Sequence, residues 1–371
     1  MEKNRRVCSR CVMDDTDPDI QFDEQGVCHH CKKYDRMVQS FPAGKRTEET
    51  LERMIEGVKR QGRSKAYDCI IGVSGGVDST YVALKVKEFG LRPLAVHLDN
   101  GWDSELAVAN IQKTLEKLGI ELYTHVIDWE EFRDLQLSFL KASTPDSEIP
   151  SDHAIVSLMR QKAEEFENIP IIPGYNYRTE SHLPRSWSQG HMDWKYIRSV
   201  QKRFGKMELR TFPRMNFLTY HRYFFRQKWI LLLNYIDYQK CEAIKELESE
   251  LGWKYYGGKH YESIYTRFYQ GHILPRKFGY DKRKSHLSSL ICAGEIKRGE
   301  ALRQLAADPY PIEMQEGDKL YTIKKLGITP EEFERIMNLP KRTYWDYPSY
   351  GQLYNHPIYR GLRAVYKWLG K

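Results

Sequence analysis

The chain has 371 residues, of which 41% are hydrophobic and 29% are charged, a composition typical of a folded protein with room for two domains. Its apolar runs are far shorter than the roughly 20 residues of a bilayer span. The N-terminus is polar, so we expect no membrane contact, no signal peptide and a cytoplasmic location. The formal net charge of +8 suits anionic substrates as well as nucleic acid.

The first segment, residues 1–46, contains two close cysteine pairs whose spacing is that of a zinc knuckle: Cys8, Cys11, Cys28 and Cys31. Four thiolates leave no open position on the metal, so we expect a structural Zn²⁺ that helps to fold this small module. Free cysteines, an iron–sulfur cluster, or a ligand contributed by His29 or His30 remain as alternatives. A linker is predicted at 41–44.

Residues 47–180 alternate between helical and extended patterns. The apolar periodicity predicts a helix after Thr47, the strands 68–73, 93–98, 122–127 and 169–172, and the helices 79–89, 104–118, 129–141 and 152–166. Strands that alternate with helices form a parallel sheet. The predicted fold class is therefore α/β, with a doubly wound parallel sheet.

Residues 181–371 read as a mainly helical substrate or partner region. A capping box and a first-turn proline predict a helix at Pro330–Met337, and an amphipathic pattern predicts a surface helix at 358–369. Residues 195–228 include ten basic residues and only one acidic residue, Glu208, with aromatic residues interspersed among them. This segment suits a nucleotide sugar, RNA or an acidic partner, or it is a solvated basic face.

A glycine-rich loop, which we call the phosphate loop, directly follows the first strand of the alternating segment and leads into a helix. It consists of Ser74, Gly75, Gly76, Val77, Asp78 and Ser79. Glycines let the backbone approach an anion, and the free N–H groups of the helix N-terminus bind phosphate. The lysine of a Walker loop is missing. The loop instead resembles the signature of the PP-loop ATP pyrophosphatases, which split ATP into AMP and pyrophosphate.

Polar residues at the ends of two later strands are the other predicted ATP contacts: His97, Asp99, Asn100, Gly174 and Asn176. Asp99 and Asn100 are placed for ribose, base or metal contacts, with a plain polar turn as the alternative. Asp78 requires a cation or a hydroxyl partner, and we expect Mg²⁺ to accompany ATP. Ser74, Asp78 and Ser79 are the expected catalytic residues.

Further motifs make nearly the whole chain resemble the bacterial N-acetyl sugar amidotransferases of surface-glycan biosynthesis. They lie at 8–14, 16–20, 26–28, 256–263, 277–283 and 287–290. The resemblance implies that an acetamido group of a nucleotide-activated N-acetyl sugar becomes an acetamidino group. An amide oxygen is a poor leaving group, but once adenylated it departs as AMP when ammonia attacks.

The second half of the chain supplies the expected substrate contacts, together with Glu180. These are Lys259, His260, Glu262, Arg267, Lys277, Asp281, Arg283 and His286. Residue 2 is Glu, and no remaining cysteine has the glycines of a nucleophile elbow, so ammonia must come from another protein. The resemblance implies a glutaminase subunit and a cyclase-like channel subunit, similar to the two parts of imidazole glycerol phosphate synthase.

Two other functions compete with this one. A tRNA-thiolating enzyme also combines a PP-loop with zinc knuckles, and a basic face fits RNA. Sulfur transfer uses clustered cysteines, however, whereas Cys69, Cys241 and Cys292 are isolated in the sequence, so we expect no nucleic acid. A non-catalytic scaffold is the third alternative, and the intact phosphate loop argues against it.

Overall fold

The structure is a computed structural model that describes residues 5–41, 45–357, 359 and 361. The linker residues 42–44 and most of the helix predicted at 358–369 lie outside the described residues. The N-terminal part contains α1 (His29–Ser40) and α2 (Lys45–Gly62). The alternating segment contains β1 (Cys69–Gly72), α3 (Val77–Glu88), β2 (Pro93–Asp99), α4 (Glu105–Leu118), β3 (Glu121–Val126), α5 (Trp129–Ala142), α6 (Ile149–Glu165) and β4 (Ile171–Ile172).

The four strands form one parallel sheet in the order β3-β2-β1-β4. The chain builds outward from β1 to β3 and then returns to the other side of β1, so the strand order reverses between β1 and β4. In open α/β sheets, ligands bind beyond the carboxyl ends of the strands at such a reversal. The predicted α/β fold with a parallel sheet is confirmed, and its topology directs attention to the loops after β1 and β4.

Both faces of the sheet are covered because its buried side chains alternate. Ile70, Leu94 and Val96 pack into one apolar core, and Cys69 and Ile71 pack into the other. Successive side chains of a strand point to opposite faces, so a strand that is apolar throughout requires helices on both sides. This explains why β1 and β2 read as continuous apolar runs in the sequence.

The helix boundaries follow from capping. Ser104 accepts a hydrogen bond from the Ala107 N–H at 3.2 Å, and α4 ends in the left-handed Gly119. Helix α6 begins at Ile149 rather than at the predicted residue 152, because Pro150 fits the first turn, where no backbone N–H donor is needed.

The second half of the chain is helical, as predicted. It contains α7 (Tyr177–Glu180), α8 (Trp194–Phe204), α9 (Phe217–Arg226), α10 (Lys240–Leu251), α11 (Ile264–Phe268), a π-helical segment (Tyr269–Phe278), α12 (Lys282–Ala293), α13 (Arg298–Ala306), α14 (Ile312–Leu326), α15 (Pro330–Met337) and α16 (Gly351–Asn355), with short 3₁₀ turns at Leu232–Asn234 and Tyr344–Asp346. In the described part of the chain, no helix is both long and apolar enough to cross a bilayer.

The α/β segment and the helical second half, which we predicted as separate domains, share two hydrophobic cores. One core joins sheet residues such as Leu94 to Phe268 and Phe333 of the second half, and the other joins Ile71 to Trp253. The cysteine module packs on Trp187 and Ile291. The domain boundaries at residues 46 and 180 stay a prediction.

Candidate active site

The loop between β1 and α3 is held in a conformation that only glycine tolerates at Gly75. Its φ of +76° is left-handed, and a Cβ there would lie 2.6 Å from the carbonyl oxygen of Ala107. Behind it, the hydroxyls of Ser74 and Ser79 are 3.1 Å apart, and the Ser74 hydroxyl accepts the Gly76 N–H at 3.3 Å. The loop therefore presents small hydroxyls and backbone N–H groups at the N-terminus of α3.

Two aromatic side chains from the segment after α10 contact this loop. The indole N–H of Trp253 donates to the Gly75 carbonyl at 2.9 Å, and the hydroxyl of Tyr256 accepts the Val77 N–H at 3.1 Å. The N–H of Val77 belongs to the first turn of α3, where helices bind anions. The Tyr256 oxygen thus lies where an anionic oxygen would accept the same hydrogen bond.

Asp78 is enclosed by polar partners from three other parts of the chain. The hydroxyl of Tyr238 donates to Asp78 Oδ1, the amide of Asn176 donates to the same oxygen at 3.3 Å, and the ammonium of Lys259 lies 3.7 Å from Oδ2. Burial, followed by the charge of Asp78, raises the pKa of Tyr238 well above its usual value. The Tyr238 hydroxyl therefore stays protonated and donates to Asp78.

Lys259 is a largely buried cation, with 10% of its side chain exposed, between two carboxylates. Its ammonium is 2.8 Å from Glu180 Oε1 and also donates to Thr179 Oγ1 at 3.3 Å. Burial lowers the pKa of Lys259, but the charges of Glu180 and Asp78 outweigh burial and raise it overall. The positive charge is thus fixed beside the phosphate loop, where it would be attracted to anionic oxygens.

The loop after β4 approaches the same place. A Cβ on Gly174 would lie 2.9 Å from the backbone nitrogen of Ser79, so only glycine fits there without a shift. Asn176 is fully buried, and its Oδ1 caps α7 by accepting the Thr179 N–H at 3.0 Å. The loops after β1 and β4 therefore meet at the reversal of strand order.

The predicted contacts at the end of β2 lie at the same edge of the sheet. His97 Nδ1 is 2.9 Å from the Val73 carbonyl, and His97 Nε2 is 3.3 Å from Asp103. Burial lowers the pKa of His97, but the hydrogen bond and the charge of Asp103 raise it overall. Asp99 and Asn100 shape the following turn by accepting backbone N–H groups at 2.9 and 3.1 Å.

Glu262 comes from the second half and lies against the phosphate loop. A Cβ on Gly76 would be 3.1 Å from Glu262 Oε1, which is itself 3.6 Å from His260 Nδ1. The other oxygen of Glu262 is buried without a hydrogen-bond partner. The rings of His260 and His286 are 5.5 Å apart. Burial, followed by the charges of Lys259 and His260, lowers the pKa of His286 far below its usual value.

The other expected substrate residues make contacts of their own elsewhere. Arg267 forms a two-pronged ion pair with Asp318 at 2.7 and 2.8 Å, and Lys277 donates to the Ile336 carbonyl. Asp281 caps α12 and pairs with Arg283 at 2.8 Å. The structure does not bring these residues to the phosphate loop, and their role as substrate contacts stays a prediction.

The sequence analysis missed a second polar group, which we call the carboxylate cluster: Asp146, Glu148, Asp152, Ser188, His191 and Lys282. His191 Nε2 lies 3.4 Å from Asp146 and 3.3 Å from Asp152. Lys282 is 3.3 Å from Glu148. Burial, and then the charges of Asp146 and Glu148, raise the pKa of Asp152 to about 6, although water reaches 52% of its side chain. The carboxylate of Asp152 is therefore open to solvent.

Helix α12 links this cluster to the phosphate loop. Lys282 and His286 are four residues apart, so they lie on one face of the helix, one turn from each other. Asn100 also donates to Ser151, the neighbour of Asp152, at 3.1 Å.

The sequence signal that could have revealed the carboxylate cluster is the presence of three acidic residues within seven positions, at 146–152. Nothing in the sequence pointed to Tyr238 or to Lys240, whose pKa burial and then Lys259 lower.

The four predicted metal ligands come together in the cysteine module. Their sulfur atoms are 4.0 Å apart for Cys8–Cys31 and 3.7 Å apart for Cys11–Cys28 and Cys28–Cys31. A tetrahedral ion with metal–sulfur bonds of about 2.3 Å requires edges of about 3.8 Å. A four-iron cluster, in which each thiolate binds a different iron, needs wider spacing. His30 pairs with Asp17 at 2.8 Å and lies outside this set.

Comparisons with known proteins found similarity to a described family and to a curated enzyme. Residues 262–360 match the family described as "LPS biosynthesis protein WbpG-like, C-terminal domain". Over 78 residues the chain is 38% identical to a "GMP synthase [glutamine-hydrolyzing]" of Pyrobaculum aerophilum, a match that covers 21% of this chain and 15% of that enzyme. The chain thus spans only a small part of this curated relative.

Two solved structures are also similar. An NMN synthetase from Francisella tularensis has 19% identity and a TM-score of 0.28, over 36% of this chain and 56% of that one. An NH3-dependent NAD synthetase from Campylobacter jejuni has 13% identity and a TM-score of 0.33, over 76% and 97% of the two chains. Residues 262–360 thus carry the similarity to a WbpG-like C-terminal domain, and Glu262, the first residue of that match, lies against the phosphate loop at the reversal of strand order.

Proposed function

We propose that this protein is an ATP-dependent amidotransferase that converts the acetamido group of a nucleotide-activated N-acetyl sugar into an acetamidino group, in the cytoplasmic steps of surface-glycan biosynthesis. The observation that carries the proposal is the buried Lys259, held between Asp78 of the phosphate loop and Glu180. The WbpG-like match, which begins at Glu262 beside that loop, supports the glycan context.

The reaction has two steps. The amide oxygen attacks the α-phosphorus of ATP, the bond to the β-phosphate bridge breaks, and pyrophosphate leaves with its charge beside the N-terminus of α3 and Lys259. Ammonia then attacks the activated carbon, the C–O bond breaks, and AMP carries the former amide oxygen away. The amide nitrogen keeps its proton, and the nitrogen from ammonia keeps two of its three protons in the amidinium product. The third proton passes to a phosphate oxygen of a leaving group, so atoms and charge balance.

The acceptor sugar is placed between the phosphate loop and the carboxylate cluster. The carboxylate of Asp152 is accessible to solvent, and His191 lies 3.3 Å from it. Carboxylates and imidazoles hydrogen-bond sugar hydroxyls, and Lys282 and His286 on one face of α12 span the distance between the two groups. The neutral His286 would contact substrate as a hydrogen-bond partner rather than as a cation.

Two metal ions belong to this proposal. The thiolate spacing fits Zn²⁺, held by the four cysteines as a structural ion. Next to the loop, Asp78 and the unpaired oxygen of Glu262 are hard oxygen ligands of the kind Mg²⁺ prefers, and Mg²⁺ would offset their repulsion from the phosphates.

Ammonia is supplied by a separate glutaminase with a cyclase-like channel subunit. The basic side chains between 195 and 228 are exposed on α8, on α9, in the loop between them and just after α9, a surface suited to an acidic partner.

The test uses the purified chain with ATP, Mg²⁺, an acetamido nucleotide sugar and ¹⁵N-ammonium. We expect AMP and pyrophosphate, ¹⁵N in the sugar, and a product about one dalton lighter for unlabelled nitrogen that binds cation exchangers, because an amidine is basic. Glutamine replaces ammonium only when the partner is added.

ADP as the nucleotide product would contradict the pyrophosphatase chemistry. Sulfur appearing in tRNA under matched conditions, with no label in the sugar, would replace this proposal with the tRNA-thiolating one. An exposed-residue variant, Glu88→Gln at the far end of α3, serves as the control for enzyme quality, since its carboxylate is remote from the loop and pairs with Lys85.

A further inference from the structure

A fifth cysteine lies against the four-cysteine centre. Cys292, at the end of α12, has its sulfur 3.6 Å from Cys31 Sγ and 3.5 Å from His182 Nε2. Cys31 and His182 are fully buried, and Cys292 is partly buried. Although Cys292 is isolated in the sequence, the fold brings it beside a metal ligand and an imidazole.

These distances are those of a tetrahedral metal site. With bonds of about 2.3 Å to sulfur and about 2.0 Å to nitrogen, a tetrahedral zinc ion sets neighbouring sulfurs about 3.8 Å apart and a sulfur and a nitrogen about 3.5 Å apart. The observed separations of 3.6 and 3.5 Å match both values. The ligand atoms of Cys31, His182 and Cys292 all lie within 4.8 Å of one another.

The imidazole of His182 is oriented for this role by two serines. His182 Nδ1 is 2.9 Å from Ser181 Oγ and 3.2 Å from Ser289 Oγ, which leaves Nε2 directed at Cys292. Metal-binding histidines are fixed in this way by a hydrogen bond on the nitrogen that does not bind the metal.

We propose that Cys31, His182 and Cys292 form a second zinc site that shares the Cys31 thiolate with the four-cysteine centre. The proposal rests on the structural zinc of the proposed function, because Cys31 is the bridge between the two ions. Three protein ligands leave a fourth position for water. Five thiolates around a single Zn²⁺ would carry an excess of three negative charges, and a second Zn²⁺ reduces this excess to one, which lowers the cost of burial.

The competing arrangement is a single zinc ion, with the Cys292 thiol donating a hydrogen bond to the Cys31 thiolate. Metal analysis of the full-length chain separates the two. After saturation with zinc and gel filtration, we expect about two zinc ions per chain, and about one in Cys292→Ser and in His182→Gln. The control is Cys241→Ser, which removes an exposed thiol on α10 and is expected to keep both ions.

One zinc ion in the wild type, unchanged in both variants, would overturn the second site. If Cys292→Ser disturbs Cys31 and loses all of its metal, His182→Gln decides, because it leaves every thiolate in place. The wild type without any zinc would instead refute the four-cysteine centre of the proposed function, and the nitrogen-labelling assay reports on the amidotransferase chemistry independently of either result.

Discussion

Asp78 is surrounded by donors that hold its carboxylate in one orientation beside the phosphate loop. Tyr238 and Asn176 donate to one oxygen, and Lys259 faces the other. Replacement by alanine would leave the Tyr238 hydroxyl without its acceptor and would remove one of the two carboxylates around Lys259, so stability would fall together with activity. The amide of asparagine keeps an acceptor for Tyr238 and removes only the charge.

We therefore expect Asp78→Asn to fold normally and to lose ATP–pyrophosphate exchange by about 100-fold, similar to the effect of removing one preorganised electrostatic group from an active site. Isotope exchange measures the rate, and circular dichroism measures the fold. Glu88→Gln, in the same helix, is expected to retain full exchange. Exchange in Asp78→Asn close to that of the wild type would show that the carboxylate serves the structure alone.

His97 is a titratable group at the carboxyl end of β2, where we predict contacts with a nucleotide. Its pKa is raised, so the stabilisation that protonated His97 provides is fully present below the unfolded value of 6.5 and is lost as pH rises through the folded value. Asp103→Asn should lower the pKa of His97 and flatten the pH dependence of the unfolding free energy in this window. Histidine NMR gives the pKa, and Asp99→Asn, a weaker influence, should lower it less.

An unchanged His97 titration in Asp103→Asn would contradict this assignment.

At the scale of single residues, the sequence predicted the residues whose position follows directly from a strand end, such as His97 and Asn176. It did not reveal Tyr238, Lys240 or His191, because each reaches its site from a distant part of the chain whose approach no local pattern encodes.

At the scale of elements, the turn from β1 into α3 depends on a single left-handed residue. Gly75→Ala puts a Cβ 2.6 Å from the Ala107 carbonyl and forces a left-handed alanine. We expect a loss of at least about 1 kcal/mol in unfolding free energy, together with loss of ATP binding, measured by denaturant titration and calorimetry.

The matched substitution is Gly57→Ala in α2, where a Cβ meets nothing within 4 Å. Alanine in a helix interior should raise the unfolding free energy by about 1 kcal/mol and leave ATP binding unchanged. If Gly75→Ala were as stable as Gly57→Ala, the tight contact between the phosphate loop and α4 would be absent in solution.

The elements themselves were largely predictable. Periodicity and caps gave β2 and the helix at Pro330–Met337 to within a residue, since these signals are local. The π-helical segment at Tyr269–Phe278 was not predicted, because it contains Pro275 and packs against α5 and α15 without a regular helical period.

At the scale of the whole molecule, hydrogen bonds join the N-terminal cysteine module to the C-terminal region. The Val12 N–H donates to Ser288 at 3.2 Å, and Arg298 donates to the carbonyls of Cys8 and Cys11 at 3.0 and 2.9 Å. Cys28→Ser leaves the centre unclosed, so we expect loss of the structural metal and of most soluble protein. Cys241→Ser should preserve both, as judged by elemental analysis and yield.

Metal-free Cys28→Ser that stays soluble and active would show that the module folds without its ion.

The hydrogen bond between Val12 and Ser288 also affects the order in which the chain folds. This contact closes a loop of 276 residues, and α12, which carries Lys282, His286 and Cys292, is made late in synthesis. A nascent chain can form its sheet and phosphate loop early. Lys282 and His286 join them only after α12 has left the ribosome and packed against the rest of the chain. Contacts of such long range slow folding, so we expect refolding protein to regain its sheet first and its acceptor site last.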